Sequence, residues 1–294
     1  MKLSKLPLVS VVIPHRGADE PLRLCIEALR GQTYPASQIE ILIVINEPIR
    51  RKPIFELESN EKILWQPDYY SYAARNRGIE ASKGSIIALT DSDAIPDSCW
   101  IAHGVRALEK GSDMVAGRVE LTFSRQPLTP PACYEKLFAF DQEKNVRFGR
   151  AATANLILRQ ATFDAYGLFN RFSESGEDFS WTRRATQRGA RLVFDRDISV
   201  SHPAREGFSE LFIKAKRVSA GYKSERRAFA RIGSALSHYV SVYLAPPSGE
   251  KRRASSGPEM LLGYATSAVV QAVKLWFFVT SPRARKYHQP ANLN

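Results

Sequence analysis

The chain has 294 residues, 44% hydrophobic and 24% charged, a balance that excludes a disordered or collagen-like chain and fits one large domain with an appendage. Its three cysteines, Cys25, Cys99 and Cys133, are far apart, which argues against a disulfide framework or a zinc site and for reduced thiols in a cytosolic compartment. The formal net charge of +12 is lopsided, because Pro203 to Asn294 carries 15 Lys and Arg against 5 Asp and Glu; that asymmetry points to a polyanionic neighbour, nucleic acid or an acidic membrane surface.

Val9 to Ile13 (VSVVI) and Ile39 to Ile45 (IEILIVI) are β-branched apolar runs without polar alternation, as in central strands of a parallel sheet. Between them DEPLRLCIEALRG has an early proline, apolar positions at Leu22, Ile26 and Leu29, and a terminating Gly31, the pattern of an amphipathic helix. The resulting βαβ unit recurs as KILWQ, a helix through SYAARNRGIEASKG, and the strand SIIALT, followed by a helix from Cys99 to Lys110 and the strand MVAGRVEL. Thr122 to Arg150 is proline-rich with a short helical stretch, YEKLFAFDQEK, and reads either as an insertion shaping a second substrate site or as a passive surface loop. A strand ATANLILR, a helix ATFDAYG, the acidic turn SESGEDFSW opening another helix, and a strand RLVFDR lead to His202-Pro203. The N-terminus shows no signal-peptide core and cleavage site, so the catalytic part is expected in the cytoplasm.

Open α/β sheets bind ligands beyond the carboxyl ends of their strands. Polar residues collect there after three strands: His15 and Arg16, Asn46 and Glu47, and Asp91 and Asp93. Asp91-Ser92-Asp93 can be turn chemistry, since Asp and Ser cap turns. Two carboxylates at i and i+2 also share a strand face, where they repel unless a cation or proton lies between them.

The segments VSVVIPHRG, ARNRGI, KGSIIALTDSDAIPDSCWI and ANLILRQATFDAYGLFNRFSESGEDFSWTRRATQRGARLVFDRDISVSHP resemble, in order and spacing, the inverting family-2 glycosyltransferases of GT-A fold over roughly residues 8–203. The resemblance implies a Rossmann-like mixed, mainly parallel sheet with helices on both faces, and a nucleotide-diphosphate sugar as donor. It implies that Asp93 ligates Mn²⁺ or Mg²⁺ on the diphosphate, with Asp91 contacting the ribose or orienting its neighbour and His202 approaching the metal. It also makes Asp178 the catalytic base and Glu177 an acceptor-binding group, although an acidic pair at a helix N-terminus is favourable on electrostatic grounds alone. Arg75 and Asn76 are candidates to face the nucleotide, with His15, Arg16, Asn46 and Glu47. Where relatives end the second strand in Asp-Asp-Gly-Ser this chain has Asn46-Glu47-Pro48, which leaves the base open. No Q-x-x-R-W follows Asp178, which favours addition of a single sugar to a glycan or glycolipid acceptor. A non-catalytic relative and a nucleotidyltransferase are the alternatives, the latter disfavoured because IPHRGADE is not a glycine-rich phosphate loop.

Residues 204–294 form the appendage. Phe208, Leu211, Phe212, Ala215, Val218 and Tyr222 recur at helical spacing, with Lys214 and Arg217 off the stripe, and Phe229, Ile232, Leu236, Tyr239 and Tyr243 repeat the pattern behind Arg226, Arg227 and Arg231. Met260 to Thr280 is long enough to span a bilayer. Gly263, Ser267, Gln271 and Lys274 make one polar face, which favours a helix lying on the membrane, while Lys251, Arg252, Arg253, Arg283, Arg285 and Lys286 flank it on both sides and set no orientation. The expectation is a protein peripheral on the inner face of the cell membrane. Nucleic acid is not expected as a partner, since the basic tail lacks an aromatic platform.

Overall fold

The β-branched runs form strands that fill both faces of a sheet covered by helices on each side. In the computed structural model, which describes residues 6–225 and 247–280, β1 (Val9–His15) and β2 (Ile39–Ile45) lie parallel, with Val9 opposite Ile39. The crossover helix α1 (Asp19–Arg30) buries Leu22, Cys25, Ile26 and Leu29, the three-and-four spacing of one helix face. β3 (Glu61–Trp65) continues the sheet beyond β2, and α2 (Ser71–Ala81) returns the chain to β4 (Ile86–Thr90) on the other side of β1. Strand order reverses between β1 and β4, where an open sheet leaves a crevice.

Beyond β4 the sheet is mixed. β5 (Ile95–Pro96), α3 (Trp100–Glu109), β6 (Met114–Thr122), α4 (Pro130–Phe138), α5 (Gln142–Arg147), β7 (Asn155–Arg159), α6 (Gln160–Tyr166), α7 (Glu177–Gln187) and β8 (Leu192–Pro203) complete the order β3-β2-β1-β4-β7-β6-β8-β5. β7 is antiparallel to β4, with Asn155 opposite Thr90, and β8 is parallel to β6 across an irregularity at Gly117/Arg118. A Cβ on Gly117 would collide with the Ile198 carbonyl and the Asn155 amide, so the bulge requires glycine. One core layer holds Trp100 with α1 and α3, and the other holds Trp181, Phe163 and Phe169 with α2, α6 and α7. Cys25, Cys99 and Cys133 are all free thiols.

The appendage packs onto the YEKLFAFDQEK region, which is two helices rather than one. α4 and α5 break at Phe140, held at φ 49. α8 (Phe208–Glu225), α9 (Gly249–Arg253) and α10 (Gly257–Thr280) follow β8. Leu211 and Ala215 of α8 bury against Tyr134 of α4 and Val270 of α10, whereas Phe208 and Phe212, expected on the same stripe, are exposed. Among the described residues α4 and α10 cover α8 along a stripe narrower than the apolar one. The second stripe, from Phe229 to Tyr243 with its arginines, and Arg283, Arg285 and Lys286, lie outside the described residues.

α10 presents the reverse of the ordinary amphipathic arrangement. Its polar face, expected toward water, turns inward: Gly263 meets α4 so closely that a Cβ there would lie 2.5 Å from Leu137 Cδ1 and 2.9 Å from the Cys133 carbonyl. Lys274 is only 7% exposed, and its carbonyl accepts from Ser219 Oγ of α8 at 3.0 Å. The apolar face is outside, with Leu261 73% and Trp276 67% exposed.

Candidate active site

Three strand ends build one cluster. Asp91 and Asp93 follow β4, and the two-residue β5 just beyond them pairs antiparallel with the end of β8, with Ile95 opposite Ser201. That register carries His202 to the aspartates: its Nε2 lies 3.3 Å from Asp93 Oδ1 and 3.8 Å from Asp91 Oδ2. Nδ1 donates to the Pro203 carbonyl at 2.9 Å, fixing the ring so that Nε2 points at the carboxylates. Ligand atoms of Asp91, Asp93 and His202 all lie within 4.8 Å of one another. Burial alone would lower the His202 pKa, but the hydrogen bond to Asp93 and the charges of Asp93 and Asp91 outweigh it and raise it. Burial alone would raise Asp93, but His202 holds it down. Arg75 of α2 pairs with Asp91.

Asp178 stands across the cleft in the first turn of α7, after Gly176, whose φ of 83 favours a residue without a Cβ. Its Oδ1 accepts from the Tyr72 hydroxyl at 2.9 Å and from the Phe179 N–H at 3.0 Å, and Oδ2 accepts from the Thr153 N–H at 3.3 Å. Burial raises its pKa, an effect opposed in part by the Tyr72 bond, the Arg75 charge and the two N–H groups. A carboxylate raised this way binds a proton more readily than a surface aspartate, which suits a general base. Glu177 is buried, and its Oε1 takes the Asn170 N–H at 2.9 Å and Arg184 at 2.6 Å.

The two sets face a cleft of about 1530 Å³, bounded on one side by Pro14, His15, Arg16 and Asn46 at the ends of β1 and β2 and by Tyr69 between β3 and α2, and on the other by α4, α5, α8 and α10. Arg16 stacks over Tyr69, its guanidinium 4.3 Å from the ring centroid. Asn46 donates its amide to the Asp68 carbonyl. His15 is buried beside Asp19 (3.0 Å) and Arg51 (3.2 Å), and burial lowers its pKa. On the helical side, the fully buried Glu135 of α4 binds Arg205 at 3.0 Å and Lys214 at 2.8 Å.

The profile of Glycosyl transferase family 2 matches residues 10–165. The chain is 36% identical over 226 residues, 74% of each protein, to "Glycosyltransferase AglE" of Haloferax volcanii. The chain belongs to glycosyltransferase family 2. It is also 25% identical over 210 residues, 67% of this chain and 43% of the other, to a "Pre-mycofactocin glycosyltransferase" of Mycobacterium tuberculosis. Among solved structures, a mannosyltransferase of Pyrobaculum calidifontis in complex with GDP-Man and Mn²⁺ superposes with a TM-score of 0.54 at 15% identity, covering 93% of this chain and 84% of that one. The architecture is accordingly the GT-A fold of glycosyltransferases.

Within this family-2 chain, the residues singled out from sequence divide cleanly. His15, Arg16, Asn46, Arg75, Asp91, Asp93, Glu177, Asp178 and His202 line the cleft. Asn76 does not: its amide donates to the Phe169 carbonyl at 2.8 Å and accepts from the Phe169 N–H at 3.2 Å, latching α2 to the segment after α6. Adjacent residues on a helix point about 100° apart, so Arg75 and Asn76 serve different surroundings. Glu47 is also outside the cleft, bound to Arg51 at 2.9 Å and to the Gly17 N–H at 2.8 Å. Tyr72, Thr153, Glu135 and Arg205 were not singled out, and Lys214 and Lys274 stood out for their places on helix faces and not as cleft residues; the tyrosine in SYAARNRG was a local hint, sharing a helix face with Arg75 at i and i+3.

Proposed function

We propose that this glycosyltransferase transfers one sugar, with inversion and without processivity, from a nucleoside diphosphate sugar to a hydroxyl of a glycan or glycolipid acceptor in cell-surface glycan synthesis. The observation that carries the reading is the pairing, across one cleft, of the Asp91/Asp93/His202 cluster with the half-buried carboxylate of Asp178. Two carboxylates and an imidazole suit a divalent ion, and the imidazole favours Mn²⁺ over Mg²⁺. Asp93 and His202 would hold that ion, which when bound neutralises charge growing on the departing diphosphate. The solved neighbour that holds GDP-Man and Mn²⁺ supports this assignment by analogy of fold.

Asp178 takes the proton of the acceptor hydroxyl as that oxygen bonds to the anomeric carbon from the face opposite the leaving group. The bond between that carbon and the diphosphate oxygen breaks, and the diphosphate departs with its electrons. Tyr72 and the N–H groups of Thr153 and Phe179 hold the carboxylate in place. Arg75 orients Asp91, and its Nε, buried without a partner among the described residues, is a donor that a bound ligand would satisfy. Arg16, Tyr69 and Asn46 flank the space for the nucleotide, and Glu177 lies at the acceptor end.

The outward apolar face of α10 and the basic tail support docking on the cytoplasmic face of an anionic membrane. The packing of one side of α10 against α4 and α8 supports a helix lying on the bilayer surface. A panel of nucleotide sugars, incubated with the protein and Mn²⁺ and assayed for release of nucleoside diphosphate, tests the activity. Release from one donor that stops on chelation supports the reading, and no release from any donor with a suitable acceptor present opposes it.

A further inference from the structure

Asp178, Thr182 and Thr186 follow one another on a stripe of α7, each four residues from the last, and together they hold the segment that leads back from Thr153. The Thr153 N–H donates to Asp178 Oδ2 at 3.3 Å, the Ala151 N–H donates to Thr182 Oγ1 at 3.0 Å, and the Gly149 carbonyl lies 3.3 Å from Thr186 Oγ1. At this last rung the approach is so close that a Cβ on Gly149 would sit 2.5 Å from the hydroxyl oxygen. Eight residues of helix rise about 12 Å, so the ladder carries the backbone at Phe148, just past α5, about two helical turns from the proposed base.

Phe148 lines the cleft and is 58% exposed. Its backbone is fixed: the N–H groups of Phe148 and Arg150 both donate to the Asn145 carbonyl, at 2.9 and 3.0 Å, and the Gly149 N–H donates to the Val146 carbonyl at 2.9 Å. A lone apolar side chain on an open surface needs no explanation, but this ring is held by a hydrogen-bonded turn in the wall of a transferase cleft. Asn145, three residues earlier, and Gln187, next to Thr186 on α7, line the same cleft. An aromatic face beside two amides is the chemistry that recognises a sugar. Ring C–H groups meet the electron-rich face, and each amide offers donors and an acceptor to hydroxyls. A hydrocarbon chain would be poorly served by one ring between amides.

We propose that Phe148 is the platform of a distal acceptor subsite, on which a sugar ring stacks beyond the one whose hydroxyl meets Asp178. The acceptor is then an oligosaccharide of two or more sugars, and not a single sugar. This inference rests on the reading of the cleft as a transferase site and adds the class of acceptor to it. The donor sugar is not the occupant, because its diphosphate belongs with Asp91, Asp93 and His202 and the transferred sugar must sit between that cluster and Asp178.

Binding of the full chain, in Mn²⁺ and UDP or GDP, to an array of immobilised mono-, di- and trisaccharides of hexoses, N-acetylhexosamines and uronic acids tests it. Wild type is expected to bind at least one di- or trisaccharide, and the terminal monosaccharide of that glycan at least about tenfold more weakly. Phe148→Ala and Phe148→Leu should each weaken the oligosaccharide by about tenfold, as loss of an aromatic stacking contact does, while Phe148→Tyr keeps the ring and should retain binding. Near-ultraviolet circular dichroism verifies the fold of each variant, and calorimetry should find nucleoside diphosphate affinity within about twofold of wild type. No oligosaccharide bound by wild type, an alanine or leucine variant that binds as wild type does, or equal loss in the leucine and tyrosine variants would each overturn the inference. Absence of nucleoside diphosphate binding in wild type would instead count against the transferase reading, independently of the array.

Discussion

The Tyr72 hydroxyl donates to Asp178 Oδ1 at 2.9 Å, while Arg75, one turn further along the same helix, pairs with Asp91. One helix thus holds both the proposed base and the proposed metal cluster across the cleft. The Tyr72 bond favours the charged carboxylate, so Tyr72→Phe should raise the Asp178 pKa further. The acid limb of the kcat/KM profile is then expected at higher pH than in wild type, with Mn²⁺ affinity unchanged. An unmoved acid limb would show that Tyr72 does not act through Asp178.

Asp93→Ala removes the carboxylate nearest His202. Asp93 is partly exposed at a strand end and outside the apolar core, so the melting temperature should stay within a few degrees of wild type. Mn²⁺ binding followed by electron paramagnetic resonance should be lost, together with transfer. Full activity in a folded Asp93→Ala protein would remove Asp93 from the metal site.

Lys274 gives a stability prediction with a definite sign. With its folded pKa near 7 and an unfolded value near 10.4, the unfolded chain binds more protons between these limits. Wild-type stability therefore rises with pH across that window and is lowest below it. Lys274→Met removes the penalty and should stabilise the protein by on the order of a few kcal/mol at pH 7, an advantage that fades toward pH 10. Chemical denaturation at several pH values measures it, and a variant less stable than wild type at pH 7 would contradict the assignment.

Leu275→Ser with Trp276→Ser removes two exposed apolar groups of α10, so stability should change by less than about 1 kcal/mol. Flotation with vesicles containing 30% phosphatidylglycerol should fall by about tenfold or more, since each group contributes on the order of 1 kcal/mol or more to insertion. Unchanged flotation would place the membrane contact elsewhere, or nowhere on α10.

The βα units were legible because strand composition, helix periodicity and terminating glycines are local signals. His202 could be placed near Asp91 and Asp93 only by resemblance, because its position depends on Ile95 pairing with Ser201 across more than a hundred residues. Tyr72 reaches Asp178 across a similar separation. Asn76 carried the same sequence signal as Arg75, and only the helix phase sends it to Phe169. In α10 the polar stripe was visible, but which way it faced was not. A lysine in an apolar helix looks like a cost at a membrane, yet here it turns to the cleft and leaves the apolar face outside.

The central claim is that Asp178 is the base for sugar transfer from a nucleotide donor, and Asp178→Asn tests it most directly. Turnover should fall by roughly 10²- to 10⁴-fold, the usual worth of general-base assistance, because the amide is nearly isosteric but cannot take the proton. Steady-state turnover of the variant, with calorimetry confirming that nucleoside diphosphate and Mn²⁺ still bind with wild-type affinity, is the decisive measurement. Turnover within twofold of wild type would contradict the account and move the base elsewhere in the cleft.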